Sequence, residues 1–215
     1  MHALSPEERG DLLMIHHEYV EATQAYSVAP TSAAVLNKLG VAWHHLLAIR
    51  AARREYEKAL RLQPNFPDAL NNLGATYFAE QDYGKAVELY RRALGLAPQS
   101  AVITANLGTA YFALDKAKEG AAAYRSAYAL DPTVFDMSAP QIVQGASQKE
   151  ELARLDYCLA ELFARSNEVD RAVDYLEKAY DAGYVPRKQV MQEPAFAAVR
   201  GTPQFAEFLA EARVR

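Results

Sequence analysis

Side chains able to carry acid–base, nucleophilic or metal chemistry are few in this 215-residue sequence, and their spacing does not assemble a catalytic set. Histidine is the physiological proton carrier and the commonest metal ligand, and it occurs here as two adjacent pairs, His16-His17 and His44-His45. Neighbours on a helix diverge by about 100°, so each pair sends one ring in each direction. No carboxylate or cysteine follows His44 or His45 four residues on. The string His17-Glu18-Tyr19-Val20-Glu21 lacks the second histidine that a two-imidazole zinc face requires. Cys158 stands alone, which excludes an internal disulfide and any cysteine-based zinc framework, and between Tyr157 and Leu159 it reads as a buried, inert thiol. Glycine-rich phosphate loops, HExxH and GxSxG are missing. No enzymatic activity, cofactor or metal is expected; a metal-binding or catalytic role around the histidine pairs is the least favoured alternative.

The bulk composition points the same way. The chain is 51% apolar and 23% charged, as a folded globular protein is. Its net charge of -4 lacks the basic excess that nucleic-acid backbones demand, so no nucleic-acid partner is expected. The stretch Arg50, Arg53, Arg54, Lys58 and Arg61 is interleaved with Glu55 and Glu57 and reads as a solvated, salt-bridged outer face. The early apolar run Leu12-Leu13-Met14-Ile15 is too short for a signal sequence, and no window approaches the ~18 apolar residues of a membrane span. Membrane insertion is not expected. The expected location is cytoplasmic, with a periplasmic or secreted protein as the alternative if a leader has been removed.

The elements that hold these residues repeat. Segments 33–66, 67–100 and 101–134 superimpose without a gap, a period of 34 residues. Each carries a Leu-Gly pair followed by an aromatic: Leu39, Gly40, Trp43; Leu73, Gly74, Tyr77; Leu107, Gly108, Tyr111. Then come Ala52, Tyr56, Ala59, Pro64; Ala86, Tyr90, Ala93, Pro98; and Gly120, Tyr124, Ala127, Pro132, where only Gly120 departs from alanine. Glycine inside a helix costs about 1 kcal/mol relative to alanine, so its recurrence marks a place where another helix approaches too closely for a side chain. The prolines follow the second helix of each unit and stop it.

This signature resembles the tetratricopeptide repeat, a helix-turn-helix unit of the same length. The resemblance implies an all-α fold, a right-handed superhelical solenoid of 34-residue repeats, acting as a scaffold for another protein or peptide. The flanks read as degenerate copies. Residues 1–32 form an N-terminal unit, about four residues short, with a capping box at Ser5-Pro6-Glu7-Glu8 and with Gly10, Ala22, Tyr26 and Ala29 in register. Residues 135–147 break the period as an insertion, with Pro140 and Gly145 as punctuation, before a second capping box at Ser147-Gln148-Lys149-Glu150. Residues 148–186 form a further degenerate unit, and 187–215 a C-terminal cap of two proline-started helices in which Phe196, Val199, Phe205 and Leu209 cover the last unit's open edge.

Helical arithmetic places unit positions 2, 5, 6, 9, 12 and 13 about 140° away from the Leu-Gly-aromatic face. In tetratricopeptide proteins this set lines the concave groove. The resemblance therefore implies a peptide-binding groove of Asn37, Lys38, Val41, His44 and His45 in the first full unit, Asn71, Asn72, Ala75 and Phe78 in the second, and Asn106, Thr109 and Phe112 in the third. Asn37, Asn71, Asn72 and Asn106 make an asparagine ladder able to pair with the backbone of an extended peptide. Phe78 and Phe112 would offer aromatic anchors, or else pack beneath neighbouring helices. The family's clamp for acidic C-terminal tails is disfavoured, because Asn37, Val102 and Asn106 stand where its cations belong and only Asn72 matches. A self-assembling or accessory subunit that uses its ends or convex face, and hence a homo-oligomer, remains the main alternative.

Overall fold

A computed structural model describes residues 3–135, 149–184 and 187–211. Among them lie twelve α-helices and no strand: α1 (Pro6–Ile15), α2 (Tyr19–Ser27), α3 (Ala33–His45), α4 (Ile49–Leu62), α5 (Pro67–Ala79), α6 (Tyr83–Leu96), α7 (Ala101–Ala113), α8 (Ala117–Leu130), α9 (Lys149–Arg165), α10 (Val169–Asp181), α11 (Arg187–Gln192) and α12 (Pro203–Glu211). Consecutive helices pack as hairpins, α1 with α2 through α9 with α10, and the first four hairpins stack in order through α2 on α3, α4 on α5 and α6 on α7. The architecture is an all-α solenoid.

One backbone device closes every hairpin. His17, Leu47, Gln81, Asp115 and Asn167 all have φ near +60°, the left-handed conformation that ends helices. At Leu47 its N–H reaches the His44 carbonyl at 2.9 Å and the Ala48 N–H reaches Trp43 at 3.0 Å, two carbonyls that would otherwise lack a donor. The other four turns repeat this bonding. Starts are equally local: the expected capping box at Ser5 and Glu8 is formed, and Ser32 and Ser100 accept from the third N–H of their helices.

The recurrent glycines interlock with the recurrent tyrosines. A Cβ on Gly10, Gly40, Gly74 or Gly108 would lie 2.4 to 2.8 Å from ring carbons of Tyr26, Tyr56, Tyr90 or Tyr124 respectively. Each tyrosine of a second helix therefore passes beneath the first helix where only glycine leaves room, and all four rings are buried. Ala59, Ala93 and Ala127 are buried just as completely on the second helices.

The ends differ. Helix α2 has 9 residues where α4, α6 and α8 have 14, which accounts for the short first unit. At the other end Phe196, Val199, Phe205 and Phe208 are buried against α9 and α10. Pro203 opens α12 with Thr202 accepting from the Phe205 N–H, but Pro194 opens only a 3₁₀ turn, Pro194–Phe196, and α11 precedes it unforeseen. The inserted segment falls largely outside the described residues, as do Pro140, Gly145 and the Ser147-Gln148 half of the second capping box. No helix among the described residues is long and apolar enough to cross a membrane.

Candidate peptide-binding groove

The first helices of the three full units, α3, α5 and α7, carry the predicted groove residues and bring their asparagines together. Asn106 Nδ2 donates to Asn71 Oδ1 at 2.9 Å, Asn71 Nδ2 to Asn72 Oδ1 at 3.3 Å, and Asn72 Nδ2 to Asn37 Oδ1 at 3.0 Å. The ladder is thus a continuous amide chain across three helices, bonded to itself. Asn71 and Asn106 are buried, Asn106 at 1% exposure, and they bind neighbouring helices to one another. The accessible end is Asn37, whose Nδ2 group has no protein partner among the described residues.

Two expectations need correction. Phe78 and Phe112 are 1% and 4% exposed and present no aromatic surface. Both sit in the last turn of their helices, where the ring folds back over the left-handed turn onto the second helix. Phe78 leans on Tyr83 with centroids 5.1 Å apart, and Phe112 on Tyr124 at 5.3 Å and on Gly120. Ala75 and Thr109 are also buried; the Thr109 hydroxyl bonds the Ala105 carbonyl and the Tyr124 hydroxyl. Asn37, Lys38, Val41, His44 and Asn72 stay partly exposed, and His45 is more open than these although one face of its ring is covered by Tyr19.

Lys38 is held by Glu7 at 2.9 Å and Asp11 at 2.7 Å, carboxylates of α1 that the sequence reading passed over. Repeat register could have found Asp11, because it follows Gly10 as Val41, Ala75 and Thr109 follow their own glycines. The tyrosine hydroxyls reach this same position: Tyr26 donates to Asp11 at 2.8 Å and Tyr124 pairs with Thr109 at 2.8 Å. At Ala75 there is no acceptor, and the buried Tyr90 hydroxyl lacks a partner among the described residues.

The two histidine pairs meet at a tyrosine. His45 stacks flat on Tyr19, centroids 4.5 Å apart, and His17 Nδ1 meets the Tyr19 hydroxyl at 2.7 Å. Burial lowers the pKa of His44 and of His45, assisted by the charge of His45 and of His17 respectively. The HExxE string is split by the turn, with His17 left-handed and Glu18 capping α2. Among the described residues no three or more His, Cys, Asp or Glu side chains converge as metal ligands. Burial first, then Glu161, pushes the Cys158 thiol up to about 12, so it stays protonated.

The basic stretch is only partly salt-bridged. Arg53 pairs with Glu80 and lies 4.4 Å over the Tyr77 ring, and Lys58 pairs with Glu55 at 2.7 Å. Arg50, Arg54 and Arg61 are exposed, with no ion-pair partner among the described residues.

Comparison with known proteins places this geometry. Residues 49–101 match the family model described as tetratricopeptide repeat. None of the curated proteins matches the sequence. Among solved structures, a crystal structure of MamA is 19% identical over 86% of this chain and 97% of its own, with a TM-score of 0.55. MamA from residue 41 to its end, from Desulfovibrio magneticus RS-1, is 19% identical over 83% of this chain and 93% of its own, with a TM-score of 0.57. Likeness at that level is one of fold. The matched model makes residues 49–101 tetratricopeptide-repeat sequence, and the same glycine–tyrosine interlock recurs on either side of that segment, from Gly10 and Tyr26 to Gly108 and Tyr124, within a solenoid similar in fold to MamA.

Proposed function

We propose that the protein is a non-enzymatic scaffold that binds a polypeptide segment along the concave face of α3, α5 and α7. The observation that carries this reading is the polarised amide chain that starts at buried Asn106 and ends on Asn37, leaving the Asn37 Nδ2 donors without a protein partner. A donor backed by a hydrogen-bonded chain is suited to a peptide carbonyl, and such pairing tolerates many sequences. Val41, His44 and Asn72 flank it and supply the remaining accessible surface.

Asn37→Asp tests this cleanly, because the carboxylate still accepts from Asn72 while the outward donor is lost. Partners captured from the source organism's lysate by the native protein should be lost with Asn37→Asp at unchanged helicity. Equal recovery would move the interface off this face.

A second reading, self-assembly through the N-terminal hairpin, is favoured by exposed Leu4, Leu12, Ile15, Val20 and Val28 on α1, α2 and their flanks. Sedimentation equilibrium decides it: a dimer that Ile15→Lys converts to a monomer supports self-assembly, and a concentration-independent monomer removes it.

A further inference from the structure

The opposite face of the solenoid carries a cavity that the groove reading does not use. It lies between α2 and α4, floored by α3, with a volume of ≈ 830 Å³, and its apolar lining includes Val20, Leu36, Leu39, Trp43 and Leu62. Its origin is the short second helix of the first unit. Ending at Ser27, α2 lacks the last five residues that α4, α6 and α8 possess. In the next unit those residues include Leu60, which packs over the following first helix beside Ala69 and Phe66. Without that cover Leu36 is only partly buried, whereas Leu70, its equivalent one period later, is 1% exposed.

The rim is charged. Lys58 and Arg61 line the cavity, and with Arg50 and Arg54 they fall within about 80° of arc on α4 and span about 16 Å of its length. Of these four only Lys58 has an ion-pair partner among the described residues, Glu55. Residues 33–66 hold six cationic side chains against Glu55 and Glu57, in a chain whose net charge is -4. Glu55 also lines the cavity and neutralises Lys58, but Arg50, Arg54 and Arg61 leave a net positive ridge beside an apolar hole, which selects for negative charge joined to apolar bulk. A single carboxylate on a small molecule would meet one end of the ridge; several acidic groups along a chain would meet all of it.

We infer that this convex cavity is a second docking site, for an acidic polypeptide segment whose bulky apolar side chain enters the hole between α2 and α4 while its carboxylates lie along Arg50, Arg54, Lys58 and Arg61. A cavity of this size matches those that hold compact ligands, and Trp43, the one tryptophan of the chain, stands in its wall as a reporter.

The test uses the full chain and a tryptophan-free acetylated dodecapeptide with a central Phe-Leu pair flanked by Asp and Glu. Trp43 emission should shift to the blue saturably as the peptide displaces water. Arg61→Glu, a change at an exposed side chain, should weaken binding at least tenfold. Ser27→Phe should fill the hole and abolish the shift with helicity retained, and the same peptide with Lys for its acids should not bind. Asn37→Asp should bind the probe normally, which separates this site from the concave one. Absence of a saturable shift, binding unchanged by both Arg61→Glu and Ser27→Phe, or a shift given by single-stranded RNA but not by the acidic peptide would each overturn the inference.

Discussion

Gly120 and Phe112 claim one volume: a Cβ on Gly120 would lie 2.8 Å from two carbons of the Phe112 ring. The same position holds Ala52 and Ala86 in the preceding units. Phe78, the equivalent ring one period earlier, leans on Tyr83 instead, and Tyr83 is replaced by Ala117 in the third unit. Without that support Phe112 settles onto Gly120, and the single departure from the repeat signature follows. Gly120→Ala should lower stability by about 1 to 3 kcal/mol through overpacking. In a double-mutant cycle by urea denaturation, Phe112→Leu should absorb most of that loss; additive effects would show that the two residues do not compete.

Leu47 is 82% exposed and left-handed, with φ 57°. A side chain there strains the backbone and buries nothing, while glycine adopts the conformation freely. Leu47→Gly should raise the urea midpoint, by roughly 1 kcal/mol of stability. A lower midpoint would mean that the side chain is covered in solution, as it would be in an assembly.

The tyrosine hydroxyls should respond unequally to deletion. Tyr124→Phe breaks a buried bond to Thr109 and should cost about 1 kcal/mol. Tyr90→Phe removes a buried hydroxyl without a partner among the described residues and should be neutral or stabilising. Thermal melts of the two variants decide it, and equal losses would show that Tyr90 has a bond, for instance to water.

Burial, aided by His45, holds the His44 pKa below its ordinary 6.5. Such a group binds its proton less readily folded than unfolded, so its stability contribution is intact above the unfolded pKa and is lost as pH falls from there through the folded value. His44→Gln should therefore flatten the decline in urea midpoint between pH 7.5 and 5.5 relative to the native protein. An unchanged slope would assign the decline to other groups.

What could be read from the residues alone was whatever requires two partners at once. Gly74 and Tyr90 recur at a fixed offset because each is the other's steric complement, so the hairpin is visible as a pattern. Ser5 and Glu8 bond one another and were legible for the same reason. The burial of Phe78 and Phe112 was not legible, because angular arithmetic treats a helix as isolated and a ring in its last turn folds toward the hairpin partner. Asn71 and Asn106 were placed together by register, but only coordinates show that their amides bond to each other rather than remain open to a visitor. The convex cavity had a sequence trace in the four missing residues before Ala33, yet a deletion announces a gap and not what lines it.

The chain of asparagine amides also sets how the solenoid yields to force. Relative rotation of α5 and α7 would break a buried amide bond, Asn106 to Asn71, and that of α3 and α5 a half-buried one, Asn72 to Asn37; both bonds join neutral groups and are little affected by salt. The first hairpin is tied at the corresponding height through Lys38 to Glu7 and Asp11, pairs with a third or more of each side chain open to solvent, and ions screen such pairs. The contact of α1 with α3 should therefore loosen as ionic strength rises, while the neutral amide bonds joining α3, α5 and α7 should hold.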